Sequence, residues 1–363
     1  MSYSKSYSLV DRALHHVAFT LPFVQRSLGD LENDLYRREM AGVVSREEVF
    51  ITGVPRAGTT LVLELLYGTG EFASFTYRDM PFILAPLLWR RLSMSSRKEA
   101  IRAERAHGDG MKVSFDSPEA FEEVAWLAFL GDYVLRERTV APVPPDAVTP
   151  EAAAGLQMLV RKLLLASRGP DTGPPRRYLS KNNANISRLR ALERIFPTAR
   201  VLVVFRDPLA QVASLMTQHR RFLAEHAEDR FSQRYMRWIG HFEFGANFRP
   251  IDFEGRYARD GLTREPDVGF WLDYWASAYR HALEAGSPQV SFVDFDRLVA
   301  APAASLERLA SLAAVRNREH LAAAVATLRA PTVQPMRPDA LPAESWKAAQ
   351  EVHQRLRAAE SST

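Results

Sequence analysis

Residues 49–66 read Val-Phe-Ile-Thr-Gly-Val-Pro-Arg-Ala-Gly-Thr-Thr-Leu-Val-Leu-Glu-Leu-Leu, and the fold turns on how they divide. Val49–Thr52 is a short apolar, β-branched run suited to a strand buried on both faces. Residues 53–58 make a tight loop with two glycines and a proline. From Thr59 the period becomes helical, with Leu61, Leu65 and Leu66 on one face. A strand that turns through glycines into a helix leaves the first backbone N–H groups without intrahelical partners. It also aims the positive end of the helix dipole at the loop. Such a turn is an anion site, and phosphate is its usual occupant.

A nucleoside-triphosphate loop reads G-x-x-x-x-G-K-[ST]. Gly53 and Gly58 keep that spacing, but Thr59 stands where the lysine belongs, and the loop's only cation is Arg56. A second segment has the same strand-to-helix form. Val201–Phe205 is five apolar residues, Arg206-Asp207-Pro208 follows, and Ser214 lies eight residues after the arginine. Asp207 is placed to cap the next helix and Pro208 to start it. A guanidinium fork and a hydroxyl at a helix N-terminus suit a doubly charged phosphate.

Outward from these two segments, residues 6–40 read as a helical arm interrupted at Pro22. Phe72–Thr76 reads as a strand, and Pro81–Trp89 as the start of a helix at an N1 proline. Residues 97–115, with Gly108 and Gly110, are expected as a loop over the site. Asp116-Ser117-Pro118-Glu119 is expected to start a helix to about Leu130, and Thr149-Pro150-Glu151 another to about Ser167. Gly169–Arg176 is a loop, Tyr178–Lys181 a strand and Ile186–Phe196 helical. Helices over 230–244 and 266–286, a strand over 290–295 and helices near 302–314 and 317–328 complete the reading. Five strands separated by helices describe a three-layer α/β/α domain around a parallel sheet, P-loop-like in form. The segments divide as an arm over 1–45, the α/β domain over 46–330 and a Pro-rich, then helical, tail over 331–363. Ligands on such sheets sit at the carboxyl ends of the strands. The loops beginning at Gly53, Tyr77, Lys181 and Arg206 share that edge.

Composition bounds the chemistry. The 363 residues are 47% hydrophobic and 25% charged, as in ordinary globular proteins. There is no cysteine, which excludes disulfides, thiolate catalysis and Cys-based metal sites. No apolar run approaches the length of a membrane span, and no signal-peptide core is visible, so the expected compartment is the cytoplasm. A net charge of +4 suits a small polyanion without indicating nucleic acid. Only six lysines occur, which singles out Lys181. The loose apolar stripe of the arm suits packing on the domain or on a second subunit, and the alternative is contact with a membrane surface, though Asp30, Glu32 and Asp34 dilute its basic face.

The pattern G-x-P-R-x-G-T-T after a strand resembles the 5′-phosphosulfate loop of sulfotransferases that use 3′-phosphoadenosine-5′-phosphosulfate (PAPS). It is similar to the branch holding tyrosylprotein and many bacterial sulfotransferases, in which arginine replaces the lysine of the cytosolic enzymes. Val201 through Ser214 resembles the family's 3′-phosphate motif. Ser180-Lys181-Asn182-Asn183, then Phe196-Pro-Thr-Ala-Arg200, resembles the run leading into it, with Asn183 where the family has proline. Phe292–Leu298 resembles the family's last strand end. The resemblance covers about residues 48–315.

It implies a metal-independent enzyme, with PAPS as co-substrate and a hydroxyl-bearing acceptor, carbohydrate or lipid-linked glycan being the expectation. It implies that Gly53, Pro55, Arg56, Ala57, Gly58, Thr59 and Thr60 hold the 5′-phosphosulfate, and that Arg206 and Ser214 hold the 3′-phosphate. By the same resemblance Arg56 and Lys181 face the transferring sulfonate. Asp79 is the candidate base, its alternative an ion pair with Arg78. Glu122 and Glu123 begin a helix face that could enter the site, or a solvated face. His107, His219 and His241 are weaker candidates. The aromatics Trp238, Phe242, Phe244, Trp271 and Trp275 are expected in the core, the alternative for some being the lining of an adenine or acceptor pocket. The competing readings are an NTP-dependent kinase and a non-catalytic 3′-phosphoadenosine nucleotide sensor. Thr59 and the lack of a clear Mg²⁺-binding carboxylate oppose the first. The second would bind nucleotide but release no sulfated product.

Overall fold

The computed structural model describes residues 9–93, 103–104, 112–113, 118–168, 176–257, 267–326, 328, 336 and 341–362. Five strands form one sheet: β1 (Val49–Thr52), β2 (Phe72–Ala73), β5 (Arg177–Lys181), β6 (Arg200–Phe205) and β7 (Val290–Asp294). Two further strands, β3 (Ala103–Glu104) and β4 (Lys112–Val113), pair antiparallel by themselves. The five-stranded sheet runs β2-β5-β1-β6-β7, and every pair in it is parallel.

The apolar runs of the strands are explained by what lies on each side. Phe50, Tyr178, Val201, Val203, Phe205 and Phe292 point into one core. Val49, Ile51, Leu179, Leu202, Val204 and Val293 point into the other. Successive side chains alternate between faces, so a strand covered on both sides must be apolar at every position. Val201 to Phe205 are each no more than 1% exposed. At ~1.5–3 kcal/mol per large side chain buried, these five residues pin β6 at the centre of the fold. The first core is covered by helices Pro150–Ala166, Pro208–Glu228, Val268–Glu284 and Ala343–Ser362, the second by Thr59–Tyr67, Pro302–Leu312 and Glu319–Ala324.

β1 lies between β5 and β6. Ile51 stands opposite Lys181 on one side and Leu202 on the other. The carboxyl ends of these three strands are therefore neighbours, although some 150 residues of chain separate β1 from β6. The order also changes side at β1, the kind of switch point at which such sheets bind ligands.

Several boundaries differ from the sequence reading. The helix expected from Pro81 begins at Pro86, after a turn over Tyr77–Asp79 and a cis Met80–Pro81 bond. The helix expected from Glu119 begins at Glu123, because Pro118 bridges to Thr76 and Glu119 N–H donates to Phe75 C=O. Asn183–Ser187 is a 3₁₀ turn ahead of helix Leu189–Ile195. The helix at the end of the tail is part of the core: Ala349, Val352 and Leu356 are buried, and His353 packs edge-on against Phe205 and Trp275. The loop expected over 97–115, apart from the β3/β4 backbone pairing, lies outside the described residues. So do His107, the cap at Asp116-Ser117, most of the Gly169–Arg176 loop, residues 258–266 and most of 329–340. No helix among the described residues is long and apolar enough to cross a membrane.

Candidate active site

The loop between β1 and helix Thr59–Tyr67 has the form the sequence implied. Gly58 is the N-cap at φ 96°, and no side chain caps the helix. A Cβ on Gly58 would fall 2.1 Å from the Phe295 ring, so both its conformation and its surroundings demand glycine. With no side-chain cap on the first turn, the N–H groups that follow Gly58 are available to an anion. Arg56 sits in the left-handed region at φ 70°, a conformation that costs a non-glycine residue ~1–3 kcal/mol and is held by its surroundings. Its Nε donates to Ser214 Oγ at 3.0 Å, tying the two strand-to-helix motifs together.

Gln211 supports this loop, although no local pattern singles it out. It is fully buried, one turn into the helix that follows Asp207. Its Nε2 donates to Val54 C=O at 2.8 Å and Pro55 C=O at 3.0 Å, and its Oε1 accepts from Trp275 Nε1 at 2.8 Å. Tyr279 OH donates to Val204 C=O at 2.8 Å, and burial holds that phenol well above its ordinary range. The loop is thus set from beneath by groups on two helices.

At the end of β6, Asp207 caps the next helix by accepting from Ala210 N–H at 2.9 Å. Arg206 is 7% exposed and lies over the Phe295 ring. Its Nε is buried without a hydrogen-bond partner among the described residues, and its ion-pair contact is Asp296 Oδ1 at 3.5 Å. Asp296 Oδ2 accepts from Asp207 N–H at 2.6 Å. Burial raises the Asp296 carboxyl, against the opposing pull of that N–H and of Arg206. A buried guanidinium N–H lacking an acceptor fits an oxyanion at this edge.

Lys181 is the last residue of β5 and is 8% exposed. Thr59 Oγ1 donates to Asn183 Oδ1 at 3.3 Å, Thr52 Oγ1 donates to Asn183 C=O at 3.1 Å, and Asn183 Nδ2 donates to Glu243 Oε1 at 3.3 Å. Asn183 therefore joins the start of the phosphate-loop helix to a carboxylate that the sequence reading did not single out.

The carboxylates that it did single out are held elsewhere. Asp79 is fully buried, and its oxygens accept from Arg90 Nε at 2.6 Å and Nη2 at 2.9 Å, and from Thr76 N–H at 2.8 Å. The residue expected as base thus closes a turn and pairs with Arg90, not with Arg78. Glu122 and Glu123 are not on a solvated face; they are 5% and 3% exposed. Glu122 accepts from Trp126 Nε1, Asn185 Nδ2 and Tyr178 OH, at 2.9, 2.9 and 2.8 Å. Glu123 takes both arms of Arg188 at 2.7 and 2.6 Å and accepts from Asn182 Nδ2 at 2.8 Å. Arg188 is fully buried and lies over the Trp126 ring. His219 packs against Phe248 and Trp271 and accepts from Gly245 N–H at 3.3 Å, and His241 Nε2 lies 3.4 Å from Ala120 C=O. Phe242, Phe244, Trp271 and Trp275 are buried in the core, while Trp238 packs at its edge against Phe19.

Comparison with known proteins agrees with this architecture. A family model described as the sulfotransferase family matches residues 48–255. No curated protein matches the chain. Among solved structures, sulfotransferase STF9 from Mycobacterium avium is similar, at 15% identity and TM-score 0.52, over 96% of this chain and 85% of that one. Sulfotransferase STF1 from Mycobacterium tuberculosis H37Rv is similar at 14% identity and TM-score 0.51, over 92% of this chain and 82% of that one. At these identities the likeness is one of fold.

Proposed function

The chain belongs to the sulfotransferase family, and from that premise we propose that it transfers the sulfuryl group of PAPS to an acceptor hydroxyl, carried by a carbohydrate or a lipid-linked glycan. The observation that carries this reading is the 3.0 Å bond between Arg56 Nε and Ser214 Oγ. It puts the cation of the first motif beside the hydroxyl of the second, so that the two motifs share one edge of the sheet.

PAPS brings the activated sulfuryl group, and the chain's own residues do the rest. The N–H groups of residues 57–60 and the hydroxyls of Thr59 and Thr60 hold the 5′-phosphate. Arg206 and Ser214 take the 3′-phosphate. Arg56 faces the bridging oxygen, where negative charge grows as the bond to sulfur breaks, and Lys181 neutralises the sulfonate from the neighbouring strand end. Transfer of this kind depends on alignment and charge stabilisation, so fixed cations on a braced loop are its main requirement.

The test is incubation with ³⁵S-labelled PAPS and an extract of the source organism, followed by identification of the labelled product. Label appearing in a hydroxyl-bearing product supports the reading. Failure of the purified protein to bind 3′-phosphoadenosine 5′-phosphate in calorimetry refutes it. Binding without labelled product favours a nucleotide sensor, and Mg²⁺-dependent turnover of a nucleoside triphosphate favours a kinase.

A further inference from the structure

Transfer to a hydroxyl needs a base, and the chemistry of the strand ends narrows where it sits. Asp79, Glu122 and Glu123 are buried and fully engaged by the partners described above. Asp207 caps its helix, and Asp296 holds the Asp207 N–H beside Arg206. Glu243 differs from all of these. It is half-buried, no arginine or lysine among the described residues pairs with it, and it accepts from Asn183 Nδ2 at 3.3 Å. Through Asn183 it stands two hydrogen bonds from the Thr59 hydroxyl, at the mouth of the anion-binding loop.

Its position is also fixed. Phe242 and Phe244, on either side, are buried at 5% and 8% exposure. Arg249 N–H donates to Phe242 C=O at 2.8 Å, and Gly245 and Ala246 N–H groups donate to His219 and His226. Upstream, Gly240 at φ 78° lies against Glu123, where a Cβ would fall 2.4 Å from Cγ. The turn bearing Glu243 is thus seated on the buried Glu123–Arg188 pair. A half-exposed carboxylate held this firmly beside an anion site suits proton transfer.

We propose that Glu243 is the general base of the transfer and that Asn183 positions it. The proposal rests on the transfer reading above. As the acceptor oxygen bonds to sulfur, its proton passes to the Glu243 carboxylate. The bond from sulfur to the bridging oxygen breaks, and that electron pair leaves on the 5′-phosphate of 3′-phosphoadenosine 5′-phosphate, facing Arg56. Asn183 occupies the position at which the family resemblance calls for proline, and its side-chain amide gives that departure a use.

The test is Glu243→Gln, which keeps the shape and an oxygen for the Asn183 bond but removes the basicity. Release of 3′-phosphoadenosine 5′-phosphate from PAPS is followed with water alone, with benzyl alcohol, and with 4-nitrophenol already ionised in mildly alkaline buffer. Loss of a general base should slow the first two ~10²-fold or more, while the ionised phenol, with no proton to remove, stays within several-fold of the wild-type protein. Asn183→Leu should give the same pattern in weaker form. Full retention with water and alcohol, or equal loss with all three acceptors, overturns the assignment. Calorimetry with 3′-phosphoadenosine 5′-phosphate separates the two failures: absent binding by the wild-type protein refutes the transfer reading itself, whereas normal binding with an unaltered acceptor pattern refutes only the role of Glu243.

Discussion

Arg206→Ala should remove the nucleotide's 3′-phosphate anchor and leave the rest of the site standing. The Arg206 side chain is 9% exposed, and its buried Nε has no hydrogen-bond partner among the described residues. A bond from a charged donor in this setting is worth ~1.5–3 kcal/mol. At ~1.4 kcal/mol per tenfold, affinity for PAPS should fall ~10- to 150-fold. Adenosine-5′-phosphosulfate, which lacks the 3′-phosphate, should lose far less. Asp296 gives the calculation a second arm, because its carboxylate lies 3.5 Å from the same guanidinium and competes with any phosphate. Asp296→Asn keeps an acceptor for the Asp207 N–H while removing that charge, so it should tighten PAPS binding by a smaller factor. Isothermal titration calorimetry at fixed ionic strength measures all four combinations, with thermal unfolding as the check on folding. Equal losses for the two nucleotides in Arg206→Ala would refute the assignment of the 3′-phosphate to this arginine.

Arg56→Ala should lower turnover ~10²–10³-fold with a smaller change in nucleotide affinity, and Arg56→Lys should keep part of the activity. Near-normal turnover at saturating PAPS with only a raised KM would make Arg56 a ground-state ligand instead. Arg188→Met should cost ~3–5 kcal/mol in denaturant unfolding, since it leaves Glu123 charged and buried. Adding Glu123→Gln should recover part of that loss while still accepting from Asn182, and strictly additive effects would contradict the pairing. Glu32 is buried against Lys162, and burial pushes its carboxyl up to about 7, opposed by the Leu88 N–H and by Lys162. The folded state therefore binds more protons than the unfolded chain between pH 4.5 and 7, and stability should fall as pH rises through that window. Unfolding midpoints across this range should be flatter for Glu32→Gln, and an unchanged slope would remove Glu32 as its source.

The sequence by itself determined the strand–loop–helix turn over residues 49–66 and the sheet around it. A strand, two glycines and a helix start are contiguous, so the backbone geometry that leaves the helix N-terminus without a side-chain cap is written within residues 49–66. Apolar residues at every position of Val201–Phe205 likewise announce a strand covered on both sides, and Asp207-Pro208 announces the helix after it. What the tertiary structure decided is which side chain meets which across long separations. Asp79 was legible as an acid near a strand end, but Arg90 approaches it only because the chain turns through 80–85 before helix Pro86–Ser93 begins. Glu123 and Arg188, 65 residues apart, cancel each other's charge inside the protein, which turned an expected solvated face into a buried support. Gln211 beneath the loop and Glu243 beside Asn183 carry no local signature, because an amide or a carboxylate acquires its role from its neighbours. Contacts of that kind depend on strand order and on which helix faces pack together, and those are set by burial of the whole chain rather than by any stretch of it.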